Sequence, residues 1–461
     1  MDAALKQRPY QADGTRFLRE RGRAILADEA GLGKTNQLLL GAEGRTLVVS
    51  PAMLEDVWIG MDESDPGEAL RWRPDLIDQG LLTWTSYSSL CARGPDKKGN
   101  MTKVLPRPAD DVRGHWDTII FDEAHYLKGR DTNWTLAAKM LQSDRCYLAT
   151  GTPLVNWAHE IFMPLCLVFP EEAKPKKRLG SYWRWVEHWF STSPSEHGGP
   201  HSRDVGDLLP GWAWEDFAEG NQLGGRWLRR RRDDVLADLP PLTQQVIEVR
   251  MTAAQQQVYR RLKKELYARI EETGHEIVSW SKSGVWVKLM KLCTGIEVED
   301  ENYSGTGAKI GTCVELVRER THPTLVYTAF RASAERTASA LRGVGKRVAV
   351  VSGDYSDRER KDTVRRFRAG HYDVLVGTLG TISEGLTLTA ADTCIFLERD
   401  PRPSKNEQAL RRIHRYGQDR PCLSIDLVAA GTVDENIRAL LATKTDQQMA
   451  AMRAFDAIQL V

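Results

Sequence analysis

The sequence predicts two α/β lobes, each a mainly parallel, doubly wound sheet, joined through a helical stretch rich in tryptophan. Three observations carry that expectation. Short β-branched runs alternate with helical patterns in two separate blocks, the pattern of parallel strands linked by crossover helices. Between about residues 155 and 301 the alternation stops and tryptophans accumulate, at Trp183, Trp185, Trp189, Trp212, Trp214 and Trp227. Finally, 461 residues suffice for about two to four domains with cores of their own. The expected division is 1–156 for the first lobe, 157–300 for a helical insert, linker and brace, and 301–461 for the second lobe with a C-terminal helix.

Taken in order, the strand candidates of the first block are 46–50, 118–122 and 146–150, and those of the second are 324–328, 347–352, 373–378, 393–398 and 424–429. The segment 191–206 has the Ser/Pro/Gly composition of a turn-rich, mobile loop. No stretch approaches the ~18 to 20 apolar residues of a membrane span, and the first residues lack the apolar region of a secretory signal. A cytoplasmic protein is expected, or by default a nuclear one. The seven cysteines lie far apart without a CxxC pair, which argues for buried thiols over zinc or disulfides. Lys plus Arg total 64 against 63 for Asp plus Glu, so the net charge of +1 selects no partner, and any polyanion must be held by local patches.

Chemistry first shows itself after the apolar residues 24–27, where 28–35 read Asp-Glu-Ala-Gly-Leu-Gly-Lys-Thr. Gly31 and Gly33 let backbone N–H groups wrap an anion, Lys34 reaches the β- and γ-phosphates, and the Thr35 hydroxyl can ligate Mg²⁺. The first glycine of the strict phosphate-loop pattern is here Asp28, so a plain Gly-rich turn remains the alternative. Eighty-eight residues beyond Lys34, an apolar run ends in Asp122-Glu-Ala-His125. The two carboxylates divide the work: Asp122 holds the metal shell and Glu123 polarises the attacking water. An acidic helix cap is the bland alternative.

Further strings follow in order: Arg8-Pro-Tyr-Gln11 with Gly14, the Leu148 to Asn156 segment containing Thr150-Gly151-Thr152, the four arginines 229–232 followed by 239–241, and 408–418 reading Gln-Ala-Leu-Arg-Arg-Ile-His-Arg-Tyr-Gly-Gln. Together they resemble the Swi/Snf-type ATPases, double-stranded DNA translocases of helicase superfamily two. The resemblance covers nearly the whole chain. It implies two RecA-like lobes, ATP and Mg²⁺ as cofactors, an adenine contact from Gln11, and coupling of hydrolysis to lobe movement through His125, Thr150, Gly151, Thr152 and Gln408. It assigns Arg412 and Arg415, expected three residues apart on one helix face, as arginine fingers. The string 378–389 departs from the commonest family pattern and ends more like the annealing-helicase subgroup, with Gly385 as its nucleotide-side residue.

The same resemblance implies a monomeric motor on double-stranded DNA, held through phosphates and therefore sequence-tolerant. Its contacts would come from Ser50, Thr85, Ser86 and Tyr87 in the first lobe and from Ser352, Gly353 and Thr378 in the second. Basic clusters at 174–178, 229–232 and 358–368 either add to such a groove or are solvated faces. The tryptophans at 183, 185 and 189 either stack on bases or form the core of the insert. Branch migration, strand annealing and protein displacement are tasks open to such a motor. Two other functions remain open on the sequence: a strand-separating DEAH-type helicase, and a nucleotide-dependent DNA clamp without turnover.

Overall fold

The computed structural model describes residues 6–60, 66–95, 103–154, 158–195, 202–235, 239–273, 284–295, 307–382, 388–415 and 417–458. The chain divides into two compact units, Met1–Ala237 with Asp446–Val461, and Asp238–Thr445.

In the first unit the strands are β1 (Arg23–Leu26), β2 (Thr46–Ser50), β3 (Leu82–Ser86), β4 (Cys91–Gly94), β5 (Lys103–Pro108), β6 (His115–Asp122), β7 (Gln142–Ala149), β8 (Phe190–Pro194), β9 (Arg203–Leu208) and β10 (Trp227–Leu228). Six of them form one parallel sheet in the order β10-β1-β7-β6-β2-β3. Alternation along the strands sends Ile25, Leu47, Val49, Ile119, Phe121 and Leu148 into one buried cluster. Ala24, Leu26, Val48, Ile120, Tyr147 and Ala149 enter another on the opposite face. A parallel sheet buried on both faces needs this double set, which is why its strands read as continuous apolar runs.

The segment between β7 and β10 differs from its sequence expectation in two ways. It is not purely helical: β8 and β9 pair antiparallel within the stretch expected to be a mobile loop, and β10 returns to pair with β1. Both hairpin strands are almost wholly solvent-exposed, so their composition lacks the apolar alternation that marks a strand. The tryptophans, in contrast, are mostly core. Trp185 and Trp189 are 3% and 5% exposed and meet Phe190 and Phe217 at ring-centroid distances of 5.2 to 5.8 Å, except that no such pairing joins Trp189 to Phe190. Only Trp212 of this set keeps a large exposed surface, 39%.

The second unit contributes β11 (Leu242–Val249), β12 (Thr324–Thr328), β13 (Val348–Val351), β14 (Val374–Thr378), β15 (Thr393–Phe396) and β16 (Cys422–Ala429). They form a second parallel sheet, ordered β11-β16-β15-β12-β14-β13, again with an apolar cluster on each face. Beneath it lies a buried polar knot. Lys309, 1% exposed, donates to Leu397 O at 2.7 Å and pairs with Asp434. Glu398 accepts from Ala329 N at 3.0 Å, from the Ser333 hydroxyl at 2.9 Å and from the Thr294 hydroxyl. These bonds tie the helix Gly284–Thr294 to the sheet. All seven cysteines are buried. Among the described residues no helix is long and apolar enough to cross a membrane.

Candidate active site

Parallel strands deliver their following loops to one edge, and open α/β sheets bind ligands there. In the first unit three neighbouring strands, β1, β7 and β6, lead into residues 27–35, 150–152 and 122–125. The sequence-predicted loops thus meet because of strand order.

The loop after β1 has the backbone of a phosphate cradle. Gly31 and Gly33 have φ of +91° and +70°, left-handed conformations that glycine adopts without a Cβ penalty. At Gly33 a Cβ would lie 2.4 Å from Gln11 Nε2, so the glycine also makes room for that side chain. The helix Lys34–Gly41 begins immediately afterwards, so its N-terminus follows directly on the loop, where helices favour an anion. The Lys34 ammonium rests on Asp28 O at 2.8 Å and Glu29 O at 3.4 Å. Thr35 is the second residue of this helix, where a hydroxyl can reach a metal beside the phosphates. Gln11, on helix Pro9–Arg21, donates to Leu32 O at 3.1 Å and accepts from Arg8 N at 2.9 Å, so the N-terminal segment braces the loop.

The acidic pair stands beside it. Asp122 is 8% exposed and accepts from Glu123 N at 2.9 Å and from the Trp58 indole at 3.1 Å. Burial, with the Glu123 carboxylate next to it, pushes Asp122 up to about 6, while Lys34 and the Trp58 bond act in the opposite sense. Glu123 itself adopts a left-handed backbone, φ +49°. His125 Nδ1 lies 3.2 Å from the Glu123 carboxylate and 3.2 Å from the Thr150 hydroxyl, which also accepts from Thr152 N at 3.1 Å. Gly151 brings the same loop against the phosphate loop: a Cβ there would lie 3.2 Å from Ala30 N and 3.4 Å from Lys34 Nζ. A buried carboxylate, a lysine within its electrostatic reach and a glycine-lined cradle make a donor set suited to a magnesium nucleotide.

Other predicted positions are placed less openly. Ser50 is fully buried, its hydroxyl accepting from the Trp84 indole at 2.8 Å. Tyr87 is 3% exposed, donates to Asp122 O at 2.8 Å and stacks on Tyr126 at 5.2 Å. Thr85 and Ser86 are buried, whereas Ser88 and Ser89 are exposed and hydrogen-bonded to Ser86. In the second unit Ser352 is buried, Gly353 is exposed, and Thr378 shares a 2.6 Å hydroxyl contact with Thr381. Gln408 is buried on helix Pro403–Leu410, and Gly385 lies outside the described residues.

Two expectations need correction. Arg412 and Arg415, both half-buried, do not share a helix face, because the helix ends at Leu410. Residues 411–415 turn instead: Arg412 N bonds Ala409 O, and the Gln418 side chain donates to Ala391 O at 2.8 Å and Ile413 O at 3.1 Å. The run 229–232 is neither a groove nor, for the most part, a solvated face. Arg230 pairs with Asp28, and Arg229 and Arg232 pair with Glu29, because two acids of the phosphate loop lie alongside. Only Arg231 of the four is exposed. Sequence reasoning missed these pairs and the role of Trp58, since nothing local links residues 28 and 230 or 58 and 122.

The chain matches the SNF2-related domain over residues 81–295 and the helicase conserved C-terminal domain over residues 308–417. It is 27% identical, over 95% of its own length and 40% of the other, to the Mus musculus protein named DNA annealing helicase and endonuclease ZRANB3. It is 26% identical, over 95% and 40%, to the ISWI chromatin-remodeling complex ATPase ISW1 of Saccharomyces cerevisiae. It thus spans about 40% of the length of these curated relatives. A solved structure described as the Sulfolobus solfataricus SWI2/SNF2 ATPase core in complex with dsDNA aligns over 99% of this chain and 96% of its own, with 21% identity and a TM-score of 0.40. The string Asp122 to His125 shares its letters with the DEAH-type helicases, but the domains matched are of the other kind. With an SNF2-related domain followed by a helicase C-terminal domain, the chain belongs to the Swi/Snf-type family.

Proposed function

We propose that the protein hydrolyses MgATP and uses the energy to move along double-stranded DNA. The observation that supports this most is the meeting of three loops on adjacent strands: Lys34 in its cradle, the Asp122–Glu123 pair, and Thr150 bonded to His125. The cradle amides and Lys34 bind the phosphates, and Gln11, which braces the cradle through Leu32 O, contacts the base. Thr35 and Asp122 would hold the magnesium that accompanies the nucleotide, and the ion would supply positive charge against that developing on the transferred phosphoryl group. Glu123 orients the attacking water and draws off its proton. His125 and Thr150 carry the change at the acidic pair into the 150–152 loop. Arg412 and Arg415 supply the arginine fingers from the second unit, with Gln408 coupling their segment to the nucleotide.

For DNA the reading is refined by burial. Phosphates are met by exposed Ser88 and Ser89, with Thr85, Ser86 and Tyr87 as support, and by the loop at Gly353. Tyr87 then joins the DNA side to the acidic pair through its bond to Asp122 O. Action on DNA places the protein with the genome, in a bacterial cytoplasm or a nucleus. Similarity to proteins named as DNA annealing helicases supports strand annealing as a finer task.

The test is displacement of a third strand from an otherwise plain duplex, with ATP, beside ATPase rates on duplex DNA, single-stranded DNA and RNA. ATP-dependent displacement with duplex-preferred stimulation is expected. Stimulation by RNA or single strands alone, with no displacement, overturns the proposal.

A further inference from the structure

The arginine run 229–232 leads from the tryptophan-rich insert towards the second unit, and its backbone runs beside the phosphate loop. Pairing of β10 with β1 continues past both strands: Ala27 N bonds Leu228 O at 2.7 Å and Glu29 N bonds Arg230 O at 3.1 Å. At this point the side chains lock. Asp28, fully buried, accepts from Arg230 N at 3.0 Å, from Arg230 Nε at 2.9 Å and from Arg230 Nη2. Its second oxygen also accepts from Gln37 Nε2 at 3.1 Å. Arg230 Nη2 further donates to Gln37 Oε1 at 2.6 Å, and Nη1 donates to Tyr10 O. One guanidinium therefore joins helix Pro9–Arg21, the phosphate loop and helix Lys34–Gly41. Gly14 is bare for the same reason: a Cβ there would sit 1.8 Å from Gln37 Oε1 and 2.7 Å from Arg230 Nη2.

Asp28 and Glu29 are also the two residues whose carbonyls carry the Lys34 ammonium. Fixing their side chains fixes those carbonyls. We infer that Arg230 is a positioning residue for nucleotide binding: through Asp28 it holds the phosphate loop and the resting place of Lys34, so the segment that follows the insert governs the loop's grip on nucleotide. The inference rests on the nucleotide-site reading above. Arg230 itself does not reach phosphate, because its donors are committed to Asp28, Gln37 and Tyr10. A planar five-donor fork suits this task and an ammonium does not.

The experiment measures the affinity of a fluorescent ribose-labelled MgADP, together with thermal melting and KM and kcat for MgATP. The proteins are the parent, Arg230→Lys, Arg230→Met and the double variant Asp28→Asn/Arg230→Met. Arg230→Met strands a buried carboxylate and lowers the melting temperature, and the double variant removes that charge and recovers most of it. A purely structural clamp predicts that affinity recovers too. A positioning role predicts that affinity in the double variant and in Arg230→Lys stays about tenfold or more below the parent, the size of one charge-assisted hydrogen bond. KM then rises with the dissociation constant while kcat moves less. Parent-like affinity in either folded variant overturns the inference and leaves the nucleotide site standing. A parent that binds no MgADP removes the nucleotide site itself, and the inference falls with it.

Discussion

Glu123 stands in a left-handed conformation, φ +49°, which costs a residue with a Cβ about 1 kcal/mol or more. Strain of this kind persists where the surroundings fix a side chain for chemistry, and here its amide is held by Asp122 and its carboxylate by His125. Glu123→Gln is expected to keep ATP bound while kcat falls by roughly 10² to 10⁴, the range for a lost general base. Turnover at the parental rate, measured at saturating ATP, removes Glu123 from the mechanism. Lys34→Ala is expected instead to weaken nucleotide binding, read by the same labelled MgADP titration. Asp122 adds a pH dependence. Its acid form is favoured up to about pH 6 because burial disfavours the carboxylate, and the acid form does not ligate magnesium. In the free protein, kcat/KM for MgATP should therefore fall by about tenfold per unit as pH drops below about 6. The inflection in kcat should lie lower, since bound Mg²⁺ keeps the group ionised. A flat kcat/KM between pH 5 and 7 excludes Asp122 as the controlling group.

Among the elements, the interior strands β2, β6, β7, β12, β14, β15 and β16 were legible because burial on both faces makes them short apolar runs, and the edge strand β13 was legible with them because all four of its residues are buried. β3 and β11 were not. Each is an edge strand, and β11 exposes Thr243, Gln244, Gln245 and Val246, so its Thr-Gln-Gln pattern carries no apolar signal. β10 is only two residues long, and its pairing with β1 depends on a partner some 200 positions away. The polar knot was equally hidden, since Lys309 and Asp434 look like surface residues in sequence. Lys309→Met would leave Asp434 buried without its cation and should destabilise the protein by ~3 to 5 kcal/mol. Melting of the variant beside Lys309→Met/Asp434→Asn checks this, with most of the loss recovered in the pair. Equal melting of the single variant and the parent would mean that the ion pair does not stabilise the fold.

Over the whole molecule, the nucleotide loops could be read from local strings, because phosphate binding needs backbone and side-chain types in a fixed short order. Their convergence comes from the strand order, β1 beside β7 beside β6, which puts the loops at one edge and which no local string states. What eluded the sequence was support: Trp58 under Asp122, Tyr87 under the acidic pair, and Arg230 around Asp28, all contacts across 35 to 202 positions. If hydrolysis depends on both units, Arg415→Ala should leave MgADP affinity nearly unchanged and lower duplex-stimulated hydrolysis by roughly 10³ or more. Normal stimulation of that variant removes the finger assignment. The burial of every cysteine bears directly on how such motion can be watched. The folded chain presents no accessible native thiol to a maleimide dye, and burial raises thiols such as Cys313 to about 12, far from the reactive thiolate. One cysteine engineered at an exposed site in each half would then take donor and acceptor fluorophores without any native cysteine having to be removed.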